Sequence, residues 1–209
     1  IVPSAVGRKT CDAEDRAVVV VRQNFRDGIA AKGGEGVGNK LLAEVQTVDA
    51  LIHVLRCFDD ENVPHSEGSI DPVRDMELVD LELQVRDLDL VTRKLQRVEK
   101  LMKNGEKDNK KAYEVLTVYK EALENMQNAR DAKVADEDKK YIQDIQLLTA
   151  KPIMYVCNVD ESAAVSGNAH TEAVKAAIAD EKAEMLIVAA ATEADIAELE
   201  TYEERQMFL

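Results

Sequence analysis

Residues 51–58 read LIHVLRCF and residues 153–159 read IMYVCNV, and these two runs decide the fold. Each is short, rich in β-branched side chains and without clean polar alternation. That is the pattern of a strand in a parallel sheet covered on both faces. Two further runs match, AVVVV at 17–21 and MLIVAAA at 185–191. Segments of helical character, roughly 38–48, 172–180 and 193–204, lie between or after them. Strands alternating with helices predict an α/β protein with a parallel sheet.

Residues 71–148 carry little strand signal. Leu81, Val85, Leu88, Leu95 and Met102 recur at three-, four- and seven-residue steps. After a break at Asn104-Gly105-Glu106, Ala112, Leu116, Tyr119, Leu123 and Met126 step by four and three. Two heptad-like stripes joined by a Gly turn predict an antiparallel coiled-coil hairpin. Its first arm, 72–103, would be about 45 Å long. Asp71 is placed to cap it and Pro72 suits its first turn. The polar remainder of both arms predicts a hairpin that projects into solvent. A third amphipathic helix over 136–148 would return the chain to the sheet. The expected domains are thus an α/β unit, 1–70 with 149–209, and a helical insertion, 71–148.

The 209 residues carry 27 Lys and Arg against 41 Asp and Glu, a formal charge of −14. That sign disfavours sequence-blind binding to DNA or RNA backbone. No apolar run reaches the ~18–20 residues of a membrane helix, and the N-terminus lacks a signal-peptide layout. Cys11, Cys57 and Cys157 are widely spaced, which predicts reduced thiols in a cytoplasmic protein.

Four places could carry chemistry. The stretch Gly33-Gly34-Glu35-Gly36-Val37-Gly38-Asn39-Lys40 approaches a phosphate-binding loop. A P-loop needs G-x-x-x-x-G-K-[ST], and here Asn39 takes the Lys position and Lys40 comes one residue late. A flexible loop before a helix reads the stretch equally well. Asn158-Val159-Asp160-Glu161 places an amide and a carboxylate at the carboxyl end of a strand, where such folds bind ligands. The pair could read a nucleobase edge, or form a polar turn. His65, in the polar loop 59–69, could position a water, or be a surface His. His53 reads as a core histidine inside a strand, and His170 has no evident partner. No spacing suggests a metal site.

Taken in order, GEGVGN (34–39), HVLRCFDDENVPHSEGSIDPVRDMELV (53–79), a helical insertion, LLTAKPIMYVCNVDE (147–161) and AAATEADIAEL (189–199) resemble the YchF family of Obg-like P-loop NTPases. The resemblance implies a P-loop NTPase-like sheet interrupted by the hairpin, with ATP and Mg2+ bound, slow ATP hydrolysis and ribosome association. Asn158, Val159 and Glu161 match the family's base-reading segment, with Asp160 standing where Asn is usual. Ala189, Ala190 and Ala191 match the small residues that back the base. Gly34, Glu35, Gly36, Gly38 and Asn39 match the segment after the magnesium-sensing switch. His65 matches a loop His thought to replace a catalytic glutamine. The sequence departs from the family at its start: no G-x-x-x-x-G-K-[ST] occurs, and Gln23-Asn24-Phe25-Arg26 stands where D-x-A-G is usual. Residues 1–28 do not resemble the family, and no TGS domain follows before Leu209. The expectation is a partial family member whose own ATPase activity is weak or absent. The rival reading is a non-catalytic remnant that docks on a ribosome or another protein through its hairpin.

Overall fold

The computed structural model describes residues 45–63, 65, 68–102 and 107–207, together with the backbone of 8–11 and 16–22. The glycine-rich segment, with Gly34, Glu35, Gly36, Gly38 and Asn39, lies outside the described residues, as does most of the expected helix 38–48.

The four expected strands form: β2 (Arg16–Arg22), β3 (Ala50–Arg56), β4 (Ile153–Asn158) and β5 (Glu184–Val188), the last ending before Ala190 and Ala191, which belong to the expected run and instead begin a helix. They run parallel in that order, and a further strand, β1 (Arg8–Cys11), pairs antiparallel with β2. Burial alternates along the inner strands. Leu51, His53 and Leu55 of β3 and Ile153, Tyr155 and Cys157 of β4 are buried, whereas Ile52, Val54, Met154 and Val156 are only half-buried. Both faces are covered as expected, the second less completely. The buried face packs against α1 (Pro72–Met102), through Met76, Val79 and Leu83, and beside α3 (Ala169–Ala177), through Val174. Apolar residues on the other face suffice for the sequence signal without producing the same burial.

The segment entering β3 is held by one lysine. Lys151 Nζ donates to the carbonyls of Val45 (2.7 Å), Gln46 (2.7 Å) and Val48 (2.6 Å). These acceptors lie at the end of the helical turn at 45–46, where carbonyls commonly need donors from outside the helix. Lys151→Met should remove three charge-assisted bonds and lower stability by about 2 kcal/mol. Urea unfolding followed by circular dichroism measures this, and an unchanged midpoint would refute it.

The helical hairpin forms between β3 and β4. Asp71 Oδ1 accepts from Arg74 N (3.1 Å) at the start of α1, as a cap should. α2 (Lys107–Glu124) packs along α1 and buries Ala112, Leu116, Tyr119 and Leu123 of the predicted stripe, whereas Met126, its expected last member, lies past the helix end and is 73 % exposed. The α1 stripe is corrected in its first half, while Leu88 and Leu95 pack against the hairpin core as expected. Leu81 and Val85 are 41 % and 61 % exposed, and the buried face instead runs through Met76, Val79, Asp80, Leu83, Gln84, Asp87 and Val91. Three polar side chains on that face hid it from a hydrophobic-periodicity reading. The first half of α1 lies on the sheet, so only the half beyond about Val91 belongs to the hairpin core.

The third helix is also corrected. Residues Asp136–Ile142 form a 3-10 turn, clamped by an ion pair from Lys139 to Asp136 (2.6 Å). That i,i+3 spacing suits three residues per turn. Ile142, Ile145, Leu147 and Leu148 are all buried, at steps that no single helical face supplies.

Candidate functional site

The carboxyl ends of β3, β4 and β5 lie side by side, and their loops are tied together by side chains. Asn158, the last residue of β4, accepts the backbone N–H of Ala190 on its Oδ1 at 3.0 Å. Ala190 begins α4 (Ala190–Glu198), so Asn158 supplies the cap that Ala189 cannot. Its Nδ2 carries no protein partner among the described residues. Val159 is buried and donates its N–H to Val188 O (2.9 Å), locking β4 to β5 where both end. Asp160 turns inward on its own loop, accepting from Ser162 Oγ (2.6 Å) and Ala163 N (3.0 Å). Glu161 stays exposed, as do Ala190 and Ala191, while Ala189 is buried. The structure thus brings Asn158, Val159 and Ala189–Ala190 together, with Glu161 on the adjoining turn.

Two residues missed by the sequence reading organise this edge. Asn168 caps α3 in a capping box with Thr171, and its Nδ2 also donates to Cys57 O (2.7 Å) across the β3 end. The spacing N-x-x-T before an apolar run was the available signal. Arg56, at the end of β3, is buried by the loop that it shapes. Its guanidinium donates to Phe58 O (3.1 Å), Asp60 O (3.1 Å) and Val63 O (2.8 Å), and stacks 4.7 Å from the Phe58 ring.

His65 is not the exposed residue of a free loop. Its side chain is 3 % exposed, and its Nε2 lies 2.9 Å from Oδ2 of Asp75 in the first turn of α1. Asp75 is also held by Arg74, Nη2 to Oδ1 at 3.1 Å, and Arg74 in turn donates to Ser69 O (2.7 Å). The buried carboxylate thus draws the loop onto the helix. Asp75→Ala should release it, and losing about 1.4 kcal/mol of local anchoring would raise the open population tenfold. Proteolytic cleavage within 58–70 should accelerate accordingly, and an unchanged rate would sink the prediction. The other two histidines also find places. His170 reaches Asp59 at 3.5 Å. His53 is buried in β3 against Tyr155, as expected of a core histidine.

Cys57 and Cys157 are buried free thiols. No helix among the described residues is long and apolar enough to cross a membrane.

Parallel strands β2–β5 with a helical insertion between β3 and β4, and a polar loop cluster at the strands' carboxyl ends, define an α/β protein. No protein-family model matches the chain. Among curated proteins, the ribosome-binding ATPase YchF of Bacillus subtilis is 44 % identical over 181 residues, covering 86 % of this chain and 49 % of the relative. YchF of Escherichia coli O157:H7 is 38 % identical over 179 residues, with the same coverages. Obg-like ATPase 1 of Saccharomyces cerevisiae is 35 % identical over 136 residues, 63 % of this chain and 34 % of the relative. The solved structure of the Schizosaccharomyces pombe YchF GTPase superposes with a TM-score of 0.72 at 26 % identity, over 91 % of this chain and 52 % of that one. The chain belongs to the YchF family of Obg-like ATPases. It spans about half the length of the curated YchF relatives it matches.

Proposed function

We propose that this chain binds a nucleotide, ATP in preference to GTP, at the carboxyl ends of β4 and β5. One observation carries the reading: Asn158 accepts the Ala190 N–H on its oxygen, which leaves its amide N–H2 to donate. A ring nitrogen of adenine accepts such a donor, and the exposed Glu161 carboxylate could accept from the exocyclic amine. Small side chains at Ala189, Ala190 and Ala191 leave room for a flat base. Val159 supplies the buried wall beneath. The preference for ATP rests on the names of the relatives, ribosome-binding ATPase and Obg-like ATPase.

The sequence contains no G-x-x-x-x-G-K-[ST], so Mg2+ enters this reading only with the triphosphate it accompanies. His65 is the candidate for positioning a water, and Asp75 is placed to fix its ring and tautomer. Turnover by this chain alone is expected to be slow or undetectable. Ribosome association, a cytoplasmic location, and the division into an α/β unit (1–70 with 149–209) and a helical insertion (71–148) belong to the same proposal.

Calorimetric titration with ATP and GTP in magnesium buffer tests it. Asn158→Asp is the informative variant, because it keeps the oxygen that caps α4 and removes the donating N–H2. ATP should bind the parent chain and bind Asn158→Asp at least about tenfold more weakly, with the melting temperature unchanged. No heat from a folded sample would overturn the reading and leave the helical hairpin as the working part.

A further inference from the structure

A groove of about 680 Å3 runs between the first half of α1, the link after α2 and the end of α3, away from the loops of the proposed nucleotide site. Its volume falls within the range of real ligand sites. Leu81 and Met126 line it as exposed apolar side chains, 41 % and 73 % accessible, and Val85 continues the same α1 face one turn on. Five carboxylates, Glu77, Asp80, Asp131, Asp180 and Glu181, line it with one lining cation, Arg74. Arg130 behind it reaches Glu181 (3.5 Å) and Asp80 (3.8 Å), which leaves Glu77, Asp131 and Asp180 as the acidic side chains without a cation partner among the described residues. Arg74 is already engaged with Asp75 and Ser69.

Two further observations separate this groove from an ordinary acidic surface. Asp80 lies in its lining, buried, with Oδ2 bonded by Asn128 Nδ2 (3.0 Å) and Oδ1 without any hydrogen-bond donor. A buried carboxylate oxygen with no donor is an open demand for one. Met126 has φ 58°, a left-handed conformation that Gly or Asn adopts at lower cost after a helix. Gln84 Nε2 holds that turn through Met126 O (3.3 Å). A flexible thioether thus stands in solvent at a strained position, the type of side chain that adaptable protein-binding surfaces use.

We infer that this groove is a docking site for a basic, apolar-anchored polypeptide segment of a partner protein. Leu81 and Met126 would cover the apolar anchor, and the acidic lining would pair with flanking Lys or Arg. Nucleic acid is disfavoured as the occupant, because its phosphates would meet the same carboxylates. The inference does not depend on nucleotide binding, so either can fail alone.

The probe is a fluorescein-labelled peptide in which pairs of Leu alternate with pairs of Lys or Arg, titrated with the full chain and followed by anisotropy. Saturable binding that weakens with added salt is expected, and the matched peptide with Glu at every basic position should not bind. Met126→Gly should bind about tenfold more weakly while melting no lower than the parent, since Gly relieves the strained turn. Leu81→Gln, on an exposed helix face, tests the anchor without touching that turn. Glu77→Lys with Asp180→Lys should give a similar loss, and Glu114→Lys, on α2 away from the groove, should give none. Absence of saturable binding, equal binding of the Glu peptide, or unchanged affinity in the groove variants would overturn the inference. So would an RNA oligonucleotide that binds in place of the peptide and is lost in the same variants.

Discussion

Asp87→Ala is expected to lower stability by about 3–5 kcal/mol, the largest loss from any single substitution considered. Asp87 is fully buried in α1 and accepts three hydrogen bonds: from Leu148 N (2.8 Å) to Oδ1, and from Thr149 N and Thr149 Oγ1 (both 2.7 Å) to Oδ2. Truncation would leave two backbone N–H groups and a hydroxyl without acceptors in a dry interior. The effect would spread, because Thr149 Oγ1 also accepts from Ala129 N (3.0 Å), and Thr149 O accepts from Arg130 N (3.0 Å). One carboxylate therefore joins α1, the link after α2 and the approach to β4. Burial pushes its pKa up, and the three donors and Lys151 oppose that push. Asp87→Asn should fall between parent and Ala, since its amide retains one acceptor oxygen and turns two donors toward donors. Urea denaturation of the three proteins would order them. A variant Asp87→Ala within about 1 kcal/mol of the parent would mean that water or a neighbour replaces the carboxylate.

The same residue explains where the sequence stopped being legible. The strands β3 and β4 were readable because their apolar runs are short and β-branched, and the α2 stripe because its buried positions are all apolar. The α1 face was misread because Asp80, Gln84 and Asp87 sit on it, each bonded to a partner 44 to 62 residues away. Periodicity sees the side chain and not the distant donor that permits its burial. The candidate site shows the same division. Asn158 could be nominated from the end of one strand and the alanines at 189–191 only from the family resemblance, and their meeting depends on the parallel register of β4 and β5. Arg56 and Asn168 escaped notice because each acts on main-chain oxygens, which leave no pattern in side-chain identity. His65 was nominated with the wrong surroundings, since Asp75, its partner, is ten residues along and inside a helix.

His53→Leu should move stability in the opposite direction. The ring is 1 % exposed in the middle of β3, 5.9 Å from the Tyr155 ring, and neither nitrogen has a hydrogen-bond partner. Leu has similar bulk, suits a buried strand position and carries no polar atom to desolvate. A gain of about 1–2 kcal/mol near pH 7 is expected. Acid then enlarges the difference. Burial, with a smaller contribution from Arg130, lowers the His53 pKa from 6.5 to about 4. The unfolded chain therefore takes up the proton first. The stability of the neutral buried ring is complete above about pH 6.5 and drains away as pH falls toward 4. A displacement of that size corresponds to about 3 kcal/mol. Asp80 and Glu181, whose carboxyls are pushed upward mainly by burial, act with the opposite sign, as their protonation favours the folded form. The informative quantity is therefore the difference between parent and variant, in which the carboxylates cancel to first order. Unfolding free energies measured from pH 7.5 to 4.5 should run parallel down to about pH 6.5 and diverge below it, with His53→Leu losing less. Curves parallel over the whole range would show that the His53 ring finds a proton partner in the folded state, and a destabilised variant at pH 7 would show that its nitrogens are not dry.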